Sequence, residues 1–130
     1  MAEGTGKKLN EKLTKKNCIN LNIITMQSDK EILKKIKASV LSNEPMAKLF
    51  LFGSRANGNA KEDSDWDILI LITGKTTNKE KEAAIAYNLF DIGLQTGQVI
   101  SPAIYTEQEW YQKYKITPFY QNVMEANIAL

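Results

Sequence analysis

Histidine is missing from this sequence of 130 residues, and cysteine occurs once, at Cys18. Without histidine, the commonest general base, serine-type catalytic triads and most zinc sites are excluded. A single cysteine excludes an internal disulfide bond. Any catalysis would therefore rest on carboxylates, hydroxyls, amines, backbone groups and a hard metal ion.

Long hydrophobic runs are also lacking. The longest runs from Ile68 to Ile72, far short of the roughly 20 residues that span a bilayer. The lysine-containing N-terminus has no apolar stretch or small-residue cleavage site, which argues against a secretory signal. With 43% hydrophobic and 25% charged residues, the composition is that of one soluble globular domain. We expect a cytoplasmic protein that does not interact with membranes.

Positive charge is concentrated at one end of the chain. Residues 1–25 hold five lysines against two glutamates, a net charge of +3, whereas the remainder has 12 basic and 13 acidic residues, a net of −1. The globular part thus lacks the excess of cations typical of nucleic-acid-binding domains. We interpret residues 1–25 as a flexible, solvated lysine-rich extension and residues 26–130 as the functional domain.

Apolar periodicity predicts an α+β domain with the order α-β-β-α-β-α. Ser28 and Glu31 have the spacing of a capping box, and Ile32, Ile36 and Val40 follow as one helical stripe. Pro102 suggests that the last strand is an edge strand or contains a bulge. The sequence predicts a short strand at 19–24, helices at about 28–42, 78–95, 106–110 and 117–127, strands at 48–52, 65–73 and 99–105, and a loop at 53–64.

Two aspartates open the second predicted strand. Because strand side chains alternate between faces, Asp65 and Asp67 project to the same side, about 7 Å apart, while Trp66 between them projects to the other side, where we expect it in the core. Two neighbouring carboxylates repel each other unless a cation lies between them. Mg²⁺ or Mn²⁺ suits carboxylate ligands and bridges to phosphate oxygens.

A glycine turn ends the first predicted strand. At Gly53 the backbone can approach a phosphate closely, and the following amides, the Ser54 hydroxyl and the Arg55 guanidinium are all donors for phosphate oxygens. If the two strands are antiparallel neighbours, this turn and the two aspartates meet at one end of the sheet. Phosphate donors then face metal ligands, an arrangement suited to phosphoryl-group chemistry.

These two segments carry a family resemblance. Leu51-Phe52-Gly53-Ser54-Arg55-Ala56 with Gly58, followed by Ser64-Asp65-Trp66-Asp67-Ile68, resembles the signature of the minimal polymerase-β-like nucleotidyltransferases, from about residue 26 to the C-terminus. The resemblance implies a nucleotidyltransferase fold, with helices packed on a small mixed or antiparallel sheet of three to five strands. It also implies transfer of a nucleoside monophosphate from a nucleoside triphosphate to an acceptor hydroxyl. The implied metal-binding and catalytic residues are Asp65 and Asp67, and the implied phosphate-binding residues are Gly53, Ser54, Arg55 and Ser64.

One position departs from the family pattern. Members use two metal ions and three carboxylates, and the third carboxylate falls at Ser101, where a hydroxyl is neither an anionic ligand nor a base of normal strength. Asp91, Glu107 and Glu109 are possible substitutes, although none lies at the matching position. Asn57 stands where a second arginine is common. The resemblance thus implies nucleotide and metal binding more firmly than turnover.

Three hypotheses follow. The first is an active Mg²⁺- or Mn²⁺-dependent nucleotidyltransferase that modifies an acceptor hydroxyl, by analogy one on a partner protein. The second, motivated by Ser101, is a catalytically weak nucleotide- and metal-binding protein that acts as the antitoxin-like partner of a small helical protein. The third is nucleic-acid binding through the lysine-rich extension. Since the domain is too small to contain its own acceptor-recognition module, a partner chain or a homodimer is expected.

Overall fold

The computed structural model describes residues 28–130, which form five helices and four strands. In chain order these are α1 (28–43), β1 (Lys48–Phe52), α2 (Ser54–Asn57), β2 (Trp66–Ile72), α3 (Lys79–Thr96), β3 (Ile100–Thr106), α4 (Glu107–Gln112), α5 (Pro118–Glu125) and β4 (Ile128–Ala129).

The chain divides into two compact units, residues 1–34 and 35–130. Of the first unit the structure describes 28–34, which are helical. The predicted extension at 1–25 and the predicted strand at 19–24 lie outside the described residues, and the boundary between 25 and 26 stays a prediction. Ser28 lies at the edge of the described part and is already helical, rather than preceding the helix as a cap.

The four strands form one mixed sheet with the order β3-β2-β1-β4. Strand β1 is antiparallel to both β2 and β4, and β2 is parallel to β3. The predicted α+β class, with a small sheet of three to five strands, is confirmed. Among residues 28–130, β3 is an edge strand, where a residue without an N–H is tolerated, and this agrees with the prediction from Pro102.

Strand β2 is buried on both faces. Ile68, Ile70 and Ile72 line one face, as the alternation predicts, and Leu69 and Leu71 on the other face are also buried. A strand with neighbours on both sides and cover on both faces is a near-continuous apolar run, and here the five residues from Ile68 to Ile72 are all buried. This central strand carries Asp67 near its first residue.

Helices α4 and α5 cover the face of the sheet to which Leu69 and Leu71 project. Trp110 and Val123 are buried against these two leucines. The Thr106 capping box and the Thr117 cap with Pro118 at the first helical position fix where α4 and α5 begin, close to the predicted helix starts at 106 and 117. The cover lies over the later part of β2, so Asp67, on the same face at the start of the strand, is only half-buried.

Two short elements differ from the sequence predictions. Residues 53–64 were expected to be a loop throughout, but Ser54–Asn57 form α2, which ends at Gly58 in the left-handed conformation (φ 85°). Strand β4 is also new: Ile128 and Ala129 pair with Leu51 and Phe50 of β1. Neither element is long enough to produce an apolar period, so both depend on their tertiary surroundings.

The helix predicted at about 78–95 is α3, with Ile85 and Leu89 buried and Ile92 half-buried. Gly97 caps the C-terminus of α3 in the left-handed conformation. Among residues 28–130, no helix combines the length and the apolar character needed to cross a membrane.

Candidate functional site

The antiparallel register of β1 and β2 brings the glycine turn to the aspartates. Phe52, the last residue of β1, is the Cα partner of Asp67, so Gly53 follows directly beside the start of β2. This is the juxtaposition predicted from the sequence on the condition that the two strands pair antiparallel. Gly53, Ser54, Asp65 and Asp67 therefore lie at one end of the sheet.

Gly53 is required by both its conformation and its surroundings. Its φ of 74° and ψ of −156° lie in a region that essentially only glycine occupies. A β-carbon at this position would also overlap the Oδ2 atom of the Asp67 carboxylate. The absence of a side chain thus lets the backbone pass directly against Asp67, and Ser54 opens α2 from that point.

Asp67 lies in an electrostatically unfavourable environment. Burial raises the pKa of its carboxyl above the usual value, and the charge of neighbouring Asp65 raises it further. Asp65 is exposed and lies just before the strand. A carboxylate that is partly buried next to a second carboxylate favours a cation as its neighbour. A divalent ion would counteract the rise in the pKa of Asp67 that burial and Asp65 produce.

The parallel register of β2 and β3 places Ser101 beside Asp67, since the two residues are Cα partners. Paired residues of adjacent strands project to the same face at a strand spacing of about 4.8 Å, so the hydroxyl stands where the resemblance placed a third carboxylate. Within residues 28–130, no group of three or more His, Cys, Asp or Glu side chains is arranged to hold a metal ion. The two aspartates offer the hard oxygen ligands that Mg²⁺ prefers, and Ser101 adds no charge to them.

The acidic residues considered as substitutes for the missing carboxylate at Ser101 have other hydrogen-bond or ion-pair partners. Glu107 forms an ion pair with Lys48 (3.3 Å), and Glu109 completes the capping box of α4. Both follow Thr106, which lies at the opposite end of β3 from Ser101, a separation of about 16 Å along the strand. Asp91 accepts a hydrogen bond from Gln95 on the exposed surface of α3.

Arg55 contacts the loop between α2 and β2. Its Nη2 donates to the carbonyl oxygens of Ser64 (2.8 Å) and Glu62 (3.2 Å), and its Nε also donates to Ser64 O (3.1 Å). The Ser64 hydroxyl accepts a hydrogen bond from the Lys61 amide (2.8 Å). Both side chains thus organise the loop that leads to Asp65. Their expected roles as phosphate ligands stay predictions.

Trp66 is a core residue, as expected, with 2% of its surface exposed. Its indole Nε1 donates to the side-chain oxygen of Gln98 (3.0 Å), and its amide donates to Val99 O (2.8 Å). The Arg55 guanidinium carbon lies 4.0 Å from the centre of the indole ring. Sequence reasoning assigned no role to Gln98, which precedes β3 and belongs to no recognisable motif.

Two comparisons with known proteins agree with this geometry. Residues 34–117 match the family described as Polymerase beta, Nucleotidyltransferase, which covers more than half of the chain. A protein of Methanocaldococcus jannaschii named "Putative protein adenylyltransferase" is 39% identical over 82 residues, which span 58% of this chain and 77% of that protein. No solved structure matches the chain significantly. The matched residues include the glycine turn, both aspartates and Ser101.

Proposed function

Because this chain belongs to the polymerase β nucleotidyltransferase family, we propose that it transfers a nucleoside monophosphate from a nucleoside triphosphate to an acceptor hydroxyl with the help of Mg²⁺ or Mn²⁺. The observation that carries the proposal is the close approach of Gly53 to Asp67 at the end of β1. In the reaction, the acceptor oxygen forms a bond to the α-phosphorus, the bond to the β-phosphate oxygen breaks, and pyrophosphate leaves.

The residues divide into two proposed roles. Asp65 and Asp67 would hold the metal ion through their carboxylates. The raised pKa of Asp67, caused first by burial and then by the Asp65 charge, supports this assignment because a cation would offset the cost of ionising both carboxyls. The backbone next to Gly53 and the hydroxyl of Ser54 would hold the phosphates. A divalent ion, when bound, neutralises charge on the phosphates and on the leaving pyrophosphate.

For the acceptor we propose a protein hydroxyl and for the donor ATP, since the relative from M. jannaschii carries the name of a protein adenylyltransferase. A hydroxyl at Ser101 in place of a third carboxylate supports slow transfer, because proton abstraction by a positioned base contributes typically 10²–10⁴-fold to the rate of such steps. Solvent would then take the proton that the acceptor hydroxyl loses as its oxygen bonds to the α-phosphorus.

Transfer can be tested with ATP labelled in its α-phosphate, Mg²⁺ or Mn²⁺, and candidate acceptor proteins. We expect labelled acceptor with the wild-type chain and a loss on the order of 10²-fold or more with Asp67→Asn, as expected for removal of charge stabilisation from a transition state. Asp63→Asn is the matched control, because Asp63 is an exposed acid in the preceding loop. Bound nucleotide without transfer to any acceptor would rule out this proposal.

A second candidate function is that of a catalytically weak, antitoxin-like partner of a small helical protein. It is favoured by Ser101 and by an apolar stripe on α3 formed by Tyr87, Phe90 and Leu94, which are 73%, 63% and 68% exposed. Their spacing is that of a helix-pairing surface, and the exposed acid Asp91 borders it on one side. The occupant we propose is an amphipathic helix whose apolar face packs on the stripe and whose basic residue faces Asp91.

The size of the stripe suits such a partner. The two aromatic residues alone present roughly 270 Å² of surface. A standard interface buries about 800 Å² per partner, of which about 450 Å² is apolar. With Leu94, the stripe supplies most of that apolar area.

Co-expression with the product of the neighbouring gene tests this function. We expect Asp65→Asn/Asp67→Asn to keep the complex, whereas Phe90→Glu abolishes it and the matched surface variant Tyr111→Glu on α4 does not. Loss of the complex in the double aspartate variant would contradict a partner role that is independent of the metal site.

A further inference from the structure

Arg55 connects the two halves of the candidate site. It lies in α2, directly after the Gly53-Ser54 turn, and its guanidinium reaches across to the loop that precedes Asp65. Two of its hydrogen bonds end on Ser64 O, one residue before that aspartate. The phosphate side and the metal side of the site are thus joined by one side chain.

The same guanidinium stacks on Trp66, which separates the two aspartates in sequence. The indole Nε1 donates to the Gln98 side chain, and the Trp66 backbone amide donates to Val99 O, just before β3. Arg55 therefore covers a ring that cannot move without breaking these bonds. Displacement of the Trp66 backbone would also move Asp65 and Asp67, since both are its covalent neighbours.

We infer that Arg55 is a positioning residue that fixes Asp65 and Asp67 relative to the Gly53-Ser54 turn, rather than a ligand of the nucleotide phosphates. Three of its five N–H donors, on Nε and Nη2, are already directed to carbonyl oxygens. Turning the guanidinium fork toward a phosphate would break these bonds and uncover Trp66. The expected effect of Arg55 on metal binding rests on the function proposed above. Its expected effect on the order of the loop before Asp65 does not.

Lysine cannot take over this role, because it lacks the planar fork that donates twice to one oxygen while stacking on a ring. A phosphate ligand, by contrast, needs mainly a positive charge, which lysine keeps. Arg55→Lys therefore distinguishes the two roles, with Arg55→Met as the variant that removes the charge. Lys61→Gln is the matched control, since it removes a cation from the same loop.

The first measurement uses the protein without nucleotide or metal. The Ser64 amide donates to Lys61 O and the Trp66 amide to Val99 O, so their hydrogen exchange, followed by NMR, reports the order of the loop. We expect exchange to be at least about tenfold faster in both Arg55 variants and unchanged in Lys61→Gln, with the Leu51 amide as the check on the fold. Unchanged exchange in Arg55→Lys would overturn the inference, whether or not the chain is an enzyme.

The second measurement compares two affinities. For both Arg55 variants we expect Mn²⁺ binding in the presence of ATP, followed by electron paramagnetic resonance, to weaken by about 10–100-fold, the range typical of residues that orient metal ligands. Binding of ATP in EDTA should change less than about twofold. Metal-free ATP binding that is lost in Arg55→Met and restored in Arg55→Lys would make Arg55 a phosphate ligand.

A third measurement needs no variant. In the wild-type protein, the Arg55 Nε–H resonance should keep its position when ATP is added in EDTA, because its acceptor is Ser64 O. A shift that saturates with ATP would contradict the inference. Failure of Mn²⁺ or ATP to bind the wild-type protein at all would count against the proposed function alone.

Discussion

Replacing Gly53 with alanine should damage this domain more than the same change at any glycine with open surroundings. The backbone at Gly53 (φ 74°, ψ −156°) lies in a region where a residue with a side chain costs on the order of 1–3 kcal/mol. The new β-carbon would in addition overlap the Asp67 carboxylate. We therefore expect a loss of unfolding free energy at or above the upper end of that range, together with weaker nucleotide binding.

Two controls separate strain from overlap. Gly58 also has a positive φ (85°), but nothing lies within 4 Å of an added β-carbon, so Gly58→Ala should cost only about 1–2 kcal/mol of conformational strain. In an Asp67→Gly background, Gly53→Ala should lose its overlap, giving a coupling energy of about 0.5–3 kcal/mol in the double-mutant cycle. Urea unfolding followed by tryptophan fluorescence measures the stability of the four proteins of the cycle and of Gly58→Ala. An equal cost of Gly53→Ala in both backgrounds would refute the close approach.

Three further predictions concern charge, capping and turnover. Because the folded-state pKa of Asp67 is raised above 3.8, its ionised form opposes folding, so stability should fall as pH rises through that pKa. In EDTA at pH 7, Asp67→Asn should then be more stable than wild type in urea unfolding, and the difference should vanish below about pH 4; equal stability at pH 7 would contradict it. Thr106→Val removes a buried cap and should cost about 1–2 kcal/mol in thermal unfolding followed by circular dichroism, and an unchanged midpoint would argue against the cap. Ser101→Asp should raise the nucleotide-transfer rate on the order of 10²-fold, measured with labelled ATP, and a lower rate would place the missing base elsewhere.

Much of the fold could be predicted from periodicity. Ile32, Ile36 and Val40 recur at helical spacing and are buried, and the continuous apolar run from Ile68 to Ile72 is typical of a buried central strand. The run could not show which elements cover Leu69 and Leu71, because α4 and α5 lie far along the chain. The two-residue strand β4 depends on its pairing with β1, and no local sequence pattern encodes this pairing.

The site was predictable to the level of the backbone. The Gly-Ser turn and the Asp-x-Asp segment were expected to meet on the condition that their strands pair antiparallel, which they do, and the register places Ser101 beside Asp67. The orientation of Arg55 was not predictable, because its acceptors are backbone carbonyls of the loop and its stacking partner was expected in the core. A motif states which residue types are present, whereas the direction of a long side chain depends on the donors and acceptors around it.

The central claim is that Asp65 and Asp67 together with the Gly53-Ser54 turn bind a nucleoside triphosphate through a divalent metal ion. Calorimetric titration of ATP into the wild-type protein and into Asp65→Asn, with Mg²⁺ and with EDTA, tests it directly. We predict that Mg²⁺ tightens ATP binding to the wild-type chain by about 10–100-fold, the range typical of metal-ligand networks, and that Asp65→Asn loses this gain while keeping the weaker metal-free binding. Equal ATP affinity in all four titrations, or no ATP binding at all, would contradict the account.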